Sequence, residues 1–577
     1  GFMKFSRLLP ICVAAAFTSS FAVLDLPSAQ PKVDASYWNA ALDSTWQGLI
    51  RRNIQPYSTA AGLIHRPKSE TPGDAVSEGV GYGMIVALYA NDQENFNKMW
   101  EAASEKMWNG NSHDWHMLPS GVIPKSPEEG GYGTGAATDA EEDIALALIF
   151  ADKLVSAGKW QAYTSPFLQK TYAEQAQKLL NKMWETKQFH SDGMVDPGEG
   201  WGQGRFMNPG YFSPAWYKVF AKFDKEDPDR WNKAIDRNYE IISKSPGYSM
   251  GMVPDWMTPD GGWVGSDGLG YNAYFDSRAF FKDAIRILWR LAIDAIWFDE
   301  SRAKEFLKNA LKFINEKGGP SASNFYQIEK AGELLPADDK WKEFNDQNNS
   351  ETWRYRREHS HLTVGMWATA AIAVGESADR IAFSEEMAKF YEGRDYFGNA
   401  VDPTGGIEDT LHNEMYFDQF LAWFGTSLMS GAFVNVVDAI DNPKAATPGD
   451  SSSLTKLPEP VDTIPVDTTP AVEPTPVDTP IVAPDTTTKP GVDQPKDDKV
   501  YGKITEVAKG IHHVHMGASI LFSTEKYAKW SIFDLNGHMI GSASGTNFVW
   551  KTQNRKGIYI VKAASREGNY TKKVVVR

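Results

Sequence analysis

Apolar residues recur at helical spacing through most of residues 33–442, which marks a succession of α-helices with one face turned to a core. The runs include YWNAALDSTWQGLIRRN, GVGYGMIVALYANDQENFNKMWEAASE, AEEDIALALIFADKLVSAG and AFFKDAIRILWRLAIDAIWF. They continue with ESRAKEFLKNALKFINE, LTVGMWATAAIAV and YFDQFLAWFGTSLMSGAFVNVV. Gly- and Pro-rich loops separate them, and strand-like stretches are few and short. Helices at this frequency fit either a helical solenoid or a closed ring of helix pairs. No fixed repeat is visible, which weighs against the solenoid. A closed α/α toroid is the preferred reading, because it gathers the loops at one rim, where a groove can form.

The pattern changes twice near the C-terminus. Residues 443–500 contain PEPVDTIPVDTTPAVEPTPVDTPIVAPDTTTKP, which has no core-forming period and reads as an extended, disordered Pro/Thr-rich linker. Residues 501–577 alternate polar and apolar positions and carry Asn536-Gly537, a hairpin signal, so a small β-sandwich is expected. At the other end, Met3, Lys4 and Arg7 precede LLPICVAAAFTSSFAV, which is too short and too broken by Ser and Thr for a membrane span. It reads as a signal peptide over residues 1–22, cleaved after Ala22 or near Ala29. The single cysteine, Cys12, lies inside it, so a mature chain would have neither disulfides nor a thiol nucleophile.

The net charge of −15 disfavours nucleic acid and anionic membranes as partners, but a neutral polymer is not repelled. The 20 Trp, 22 Tyr and 30 Phe suit stacking on sugar rings, although a large helical core uses them equally well.

Three carboxylates stand out. Glu78, in DAVSEGVGYGM, lies at a loop-to-helix junction beside Gly79, Gly81 and Gly83, which would let backbone or ligand approach it. The helix macrodipole alone would also explain an acidic residue there. It would lower the carboxyl pKa, so a general acid at this place needs an apolar enclosure or a second carboxylate to raise it. Asp139, in GAATDAEEDIALAL, is either such a carboxylate or a plain N-cap. Asp283 belongs to a nearly all-apolar run on which Asp283, Arg286, Arg290 and Asp294 form one polar stripe. Charges there must be paired internally or face a wet cleft. Either a salt-bridge ladder results, or Asp283 faces a groove with Arg286 keeping it ionised.

Together SEGVGYGM, ATDAEEDIALAL and KDAIRILWRLAIDAIW, in this order in one helical domain, resemble glycoside hydrolase family 8, cellulase-type branch. The resemblance implies an (α/α)6 barrel and an inverting hydrolase acting on β-linked polysaccharide. It makes Glu78 the general acid, Asp283 the general base and Asp139 the residue that positions the substrate and keeps Glu78 protonated. It adds Trp115, Trp201, Tyr82 and Arg286 as substrate-binding residues, with Tyr211, Trp256 and Trp263 as weaker candidates. The chain departs from the family pattern at Glu141, Val155 and Lys282. The last stands where a Tyr usually precedes the base, and could remove a subsite contact or bring a cation to Asp283. No metal or cofactor is expected; His113, His116, His359, His361, His512, His513 and His515 lack a convincing ligand set. Endo-β-1,4-glucanase is the expected activity, with xylanase, chitosanase and a non-catalytic binding protein as alternatives. GIYIVK…KKVVV resembles C-terminal sorting domains of Bacteroidetes-type secretion, implying export machinery as a partner and a secreted or cell-surface location, with a carbohydrate-binding module as the alternative. A monomer is expected.

Overall fold

The computed structural model describes residues 23–67, 71–264, 277–336, 357–391, 393, 395–398, 416–454, 512–516, 519–534, 539–551, 557–565 and 568–576. The expected signal peptide, most of the linker and the Asn536-Gly537 turn lie outside them. The chain divides into two units at residue 468/469.

In the first unit, twelve helices among the described residues form two concentric rings. They are α1 (Ala35–Leu49), α2 (Ser77–Tyr89), α3 (Gln93–Lys106), α4 (Thr138–Ser156), α5 (Tyr172–Glu185) and α6 (Pro214–Phe223). These are followed by α7 (Asp229–Ser243), α8 (Arg286–Phe298), α9 (Ser301–Lys317), α10 (His361–Val374), α11 (Ser377–Ala388) and α12 (Tyr416–Ser430). The inner ring runs α2–α4–α6–α8–α10–α12 and closes back on α2, while α1, α3, α5, α7 and α11 each pack outside one inner helix and α9 packs outside both α8 and α10. The arrangement fits the expected (α/α)6 barrel.

Composition decides which helix goes where. In α12 every residue from Tyr416 to Ser430 is buried, and in α2 every residue but Glu78. Such helices are apolar all round and can only be enclosed. In α9 the buried set is Ala303, Phe306, Leu307, Ala310, Leu311, Phe313 and Ile314, a single stripe suited to an outer position.

Two runs that read as continuous helix are divided. GVGYGMIVALYANDQENFNKMWEAASE breaks into α2 and α3, because Asn91 takes a left-handed φ of 55° and Asp92 caps α3 by accepting from the Asn95 N–H. AFFKDAIRILWRLAIDAIWF starts as a two-residue strand, Ala279–Phe280, and becomes α8 only at Arg286. The cause is Asp255, whose Oδ1 accepts from the N–H groups of Phe281 and Ala284 and holds residues 281–285 in a capped turn. Asp283 therefore stands on the rim just ahead of the helix.

The ordered unit runs past the composition boundary at residue 442. Asp450 bridges in parallel to Val33, its carboxylate is paired with Arg380, and Ser452 donates to Asp34. In the second unit, β1 (His512–Met516), β2 (Ser519–Phe533), β3 (Met539–Lys551), β4 (Gly557–Ser565) and β5 (Gly568–Val576) form one antiparallel sheet. A register break lies between Ser523 and Ala528 of β2, with β1 paired to the half before it and β4 to the half after. Among the described residues this is one sheet, where a two-sheet sandwich was expected. Its core is Phe522, Trp530, Ile532, Trp550, Tyr559, Val561, Ala563 and Val574.

The inner ring contains one very close crossing. A Cβ on Gly425 of α12 would lie 2.4 Å from the Gly365 carbonyl of α10, whereas a Cβ on Gly365 would meet nothing nearer than 3.4 Å. Gly425→Ala is expected to lower the thermal midpoint, since overpacking of about 1–3 kcal/mol exceeds the ~1 kcal/mol that Ala gains over Gly in a helix. Gly365→Ala should leave the midpoint unchanged or raise it in the same denaturation experiment.

Candidate active site

The expected site residues converge at the rim formed by the N-terminal ends of α2, α4, α8 and α12, and Arg286 is the centre. Its Nη1 donates to Glu78 Oε2 at 2.9 Å, to Asp139 Oδ2 at 3.0 Å and to the Tyr82 hydroxyl at 3.2 Å. Its Nη2 donates to Asp283 Oδ1 at 3.1 Å, and its Nε to the Asp283 carbonyl at 3.0 Å. The Tyr211 ring covers the guanidinium at 4.9 Å and Phe417 at 5.6 Å. One buried cation thus ties three carboxylates from three helix starts.

Local packing fixes each of them. Glu78 is the second residue of α2, whose first N–H, on Ser77, donates to the Trp115 carbonyl. The neighbouring glycines serve helix packing and not ligand approach. A Cβ on Gly81 would lie 2.8 Å from Asp143 Cβ, and one on Gly83 would lie 2.5 Å from Met99 Sδ. Gly210 does the equivalent for the base candidate, since a Cβ there would lie 2.1 Å from the Asp283 carbonyl oxygen.

The side chains differ in access: Asp283 is 38% exposed, Glu78 19%, Asp139 2% and Arg286 not at all. Burial is the largest influence on Glu78 and raises its pKa. Arg286 and a hydrogen bond from Tyr416 pull it down, and Asp283 pushes it up. Enclosure therefore outweighs the helix terminus, and Asp283 is a carboxylate that adds to the rise. Burial also lifts Asp139 to about 7 against the pull of Arg286, with Glu78 and Asp143 adding to the rise.

Three residues expected at the substrate lie below the surface. Tyr82 is fully buried, its hydroxyl on Arg286 and its ring 5.2 Å from that of Phe424, so it supports the guanidinium from below. Arg286, also fully buried, links the three carboxylates. Asp139 is not an N-cap but the second residue of α4, and both of its oxygens are engaged, one by the Ala140 N–H and one by Arg286. Trp115 and Trp201 are each 39% exposed, as subsite platforms must be. Trp115 stacks on His116, Trp201 packs 4.8 Å from the buried Trp256, and Trp263 is exposed with Arg278 over its ring. Lys282 bonds Asp418, at 3.0 and 3.3 Å, which draws its charge toward α12.

The polar stripe combines both readings open in the sequence. Its upper end faces the groove through Asp283. Below, Arg290 makes a bidentate pair with Asp143 at 2.6 and 3.0 Å, and Asp294 pairs with Lys218 at 2.7 Å. Three of the histidines noted in the sequence have carboxylate partners, His113 with Glu141, His116 with Asp74 and His359 with Glu386, and His361 meets Gln419.

Sequence reasoning missed Tyr416. Its hydroxyl donates to Glu78 Oε1, and its ring lies 5.9 Å under the Arg66 guanidinium, which is itself paired with Asp74.

Removing the central cation should leave buried carboxylates uncompensated. Arg286→Met is expected to cost about 3–5 kcal/mol of unfolding free energy at neutral pH. Without Arg286 the folded-state pKa values of Glu78 and Asp139 rise further. A raised carboxyl pKa contributes stability at low pH that is lost as pH rises, so the deficit should shrink toward pH 4 in urea titrations.

Residues 52–331 match the family model described as Glycosyl hydrolases family 8. The chain is 34% identical to Endoglucanase A of Acetivibrio thermocellus over 295 residues, 50% of this chain and 56% of that protein. It is 33% identical to Endoglucanase 2 of Ruminiclostridium josui over 290 residues, 50% of this chain and 58% of that protein. It thus spans little more than half the length of these curated relatives. In fold it is similar to Rex8A from Paenibacillus barcinonensis complexed with xylose, at a TM-score of 0.50 and 21% identity, covering 69% of this chain and 93% of that one. Residues 52–331, which hold all three central carboxylates and Arg286, are a glycosyl hydrolase family 8 domain.

Proposed function

We propose that this chain is a secreted, inverting, endo-acting glycoside hydrolase that cleaves β-1,4-glucan, including mixed-linkage β-glucan. The observation that carries the reading is the placing of Glu78 and Asp283 on the two terminal nitrogens of Arg286, open to the groove beside exposed Trp115 and Trp201. Two hydrogen bonds and the width of a guanidinium separate the carboxylates, which leaves room for the ~6.5–9.5 Å of an inverting pair. The endoglucanase relatives support glucan as substrate.

In this mechanism Glu78, kept protonated by burial, gives its proton to the glycosidic oxygen. Asp283, the most exposed of the three, takes a proton from the water attacking the opposite face of the ring. Asp139 and Tyr82 hold Arg286, and Arg286 fixes the separation of acid and base. Trp115 and Trp201 present flat apolar faces to flanking sugars. Export is part of the proposal. Leu24 and Leu26 are buried, and the Leu24 N–H donates to the Tyr89 carbonyl, which supports processing after Ala22 and not near Ala29. The C-terminal unit is proposed as a sorting or attachment module.

Glu78→Gln and Asp283→Asn should each lower reducing-sugar release from carboxymethylcellulose and lichenan by at least a hundredfold while leaving binding intact. Xylan and chitosan run alongside rank the alternatives, and cleavage of xylan alone would refute the glucan assignment. The first product seen by NMR should be the α-anomer; a β-anomer excludes inversion.

Tyr416→Phe separates the acid's environment from its identity. The hydroxyl favours the Glu78 carboxylate, so its loss should raise the Glu78 pKa. Activity needs the protonated acid, so the alkaline limb of the kcat/KM profile should move to higher pH. A limb that stays or moves down contradicts the assignment.

A further inference from the structure

Asp283 stands in the capped turn of residues 281–285, ahead of α8 and outside any helix. A reactive group carried on a turn keeps its place only if the turn itself is supported. The backbone is held by Asp255, which accepts from the Phe281 and Ala284 N–H groups, and by the Arg286 Nε, which donates to the Asp283 carbonyl. Phe281, Ala284 and Ile285 are buried in the apolar core. The remaining side chain of the turn, Lys282, crosses to α12. Its Nζ donates to both oxygens of Asp418, at 3.0 and 3.3 Å. Lys282 is also the position, next to Asp283, at which this chain departs from the family pattern.

The receiving group is not a surface carboxylate. Asp418 is buried in the first turn of α12. Burial raises its pKa, Lys282 pulls it down, Glu358 adds to the rise and His361 opposes it. Substituting Lys282 would therefore leave Asp418 to take up a proton, not stranded as a bare buried charge. The same helix turn serves the rest of the site. Tyr416 donates to Glu78, and Phe417 covers the Arg286 guanidinium. Three consecutive residues of α12 thus reach the acid, the central cation and the turn that carries the base. Displacing a reacting group by about 1 Å costs on the order of a hundredfold in rate, so the anchoring of this turn bears on turnover.

We propose that the Lys282–Asp418 ion pair is a positioning device for the general base, pinning the turn that carries Asp283 to the helix turn that holds Glu78; this rests on the role proposed above for Asp283. Lys282 and Asp418 are positioning residues in this sense. They act through the place of Asp283, and so on the space in which the attacking water gives up its proton.

Steady-state kinetics of the full chain on lichenan and on dinitrophenyl β-cellotrioside tests it. Dinitrophenolate leaves without being protonated, so the aryl substrate needs the base but not the acid. Lys282→Met and Asp418→Asn should each lower kcat about tenfold, by the same factor on both substrates, with KM held within about twofold. Lys282→Arg, which keeps the cation, should retain most of the parent rate. Glu78→Gln, by contrast, should recover much of its rate on the aryl glycoside. The double variant Lys282→Met with Asp418→Asn, which leaves no charge unpaired should a single variant fold poorly, should lose no more than either single one. Unchanged kcat, a loss confined to KM, a loss that vanishes on the aryl glycoside, or additive losses in the double variant each overturn the proposal. Asp283→Asn reports on the base separately. If it abolishes turnover of both substrates while the pair variants keep theirs, the pair alone fails; if it retains turnover, the base assignment fails.

Discussion

The site depends on one guanidinium enclosed in protein. Arg286 has no exposure to solvent, and every polar contact it makes is to a carboxylate, a carbonyl or a tyrosine hydroxyl. A buried cation is costly unless its partners are close and well oriented. The starts of α2, α4 and α8 must therefore meet at one point, and the barrel geometry follows from that demand as much as from apolar burial. The arrangement also explains how Glu78 and Asp139 can both sit at helix N-termini and still be raised in pKa. Desolvation acts on each, and Arg286 returns only part of what burial takes away.

Beneath this point the barrel axis is polar as well as aromatic. Arg290 and Asp143 form a second buried pair, with the Trp216 indole donating to Asp143 and the Trp289 ring 4.5 Å from the Arg290 guanidinium. Glu142 takes the Tyr217 hydroxyl and is raised to about 8 by burial. The acidic first turn of α4 thus does more than complement a helix dipole. Glu141 receives the N–H and ring of His113, so its departure from the family pattern has a defined place in the packing.

Much of this was legible in the sequence. All-round apolar runs such as LTVGMWATAAIAV could only be inner helices, and charges on such runs had to be paired or wet. Glu78, Asp139, Asp283 and Arg286 could be named from their motifs. What stayed hidden was set by tertiary contact. Tyr416 lies 338 residues from Glu78, and in YFDQFLAWF it looks like one more core aromatic. Asp255 gives no local sign that it will cap a turn almost thirty residues away and keep Asp283 off the helix. Tyr82 was a candidate substrate contact, yet its ring turns inward to Phe424 and Trp289.

The ring closes between the first and last parts of the domain. Helix α1 packs on α12, the Trp38 indole donates to Ser384, and the Trp423 indole donates to the Leu42 carbonyl. These contacts span more than three hundred residues, so forming them closes a loop of nearly the whole domain. A nascent chain can form helix pairs early, but it cannot complete the surroundings of Glu78 until Tyr416 has arrived. The carboxylate cluster is therefore completed late, only when the first and last parts of the domain find each other.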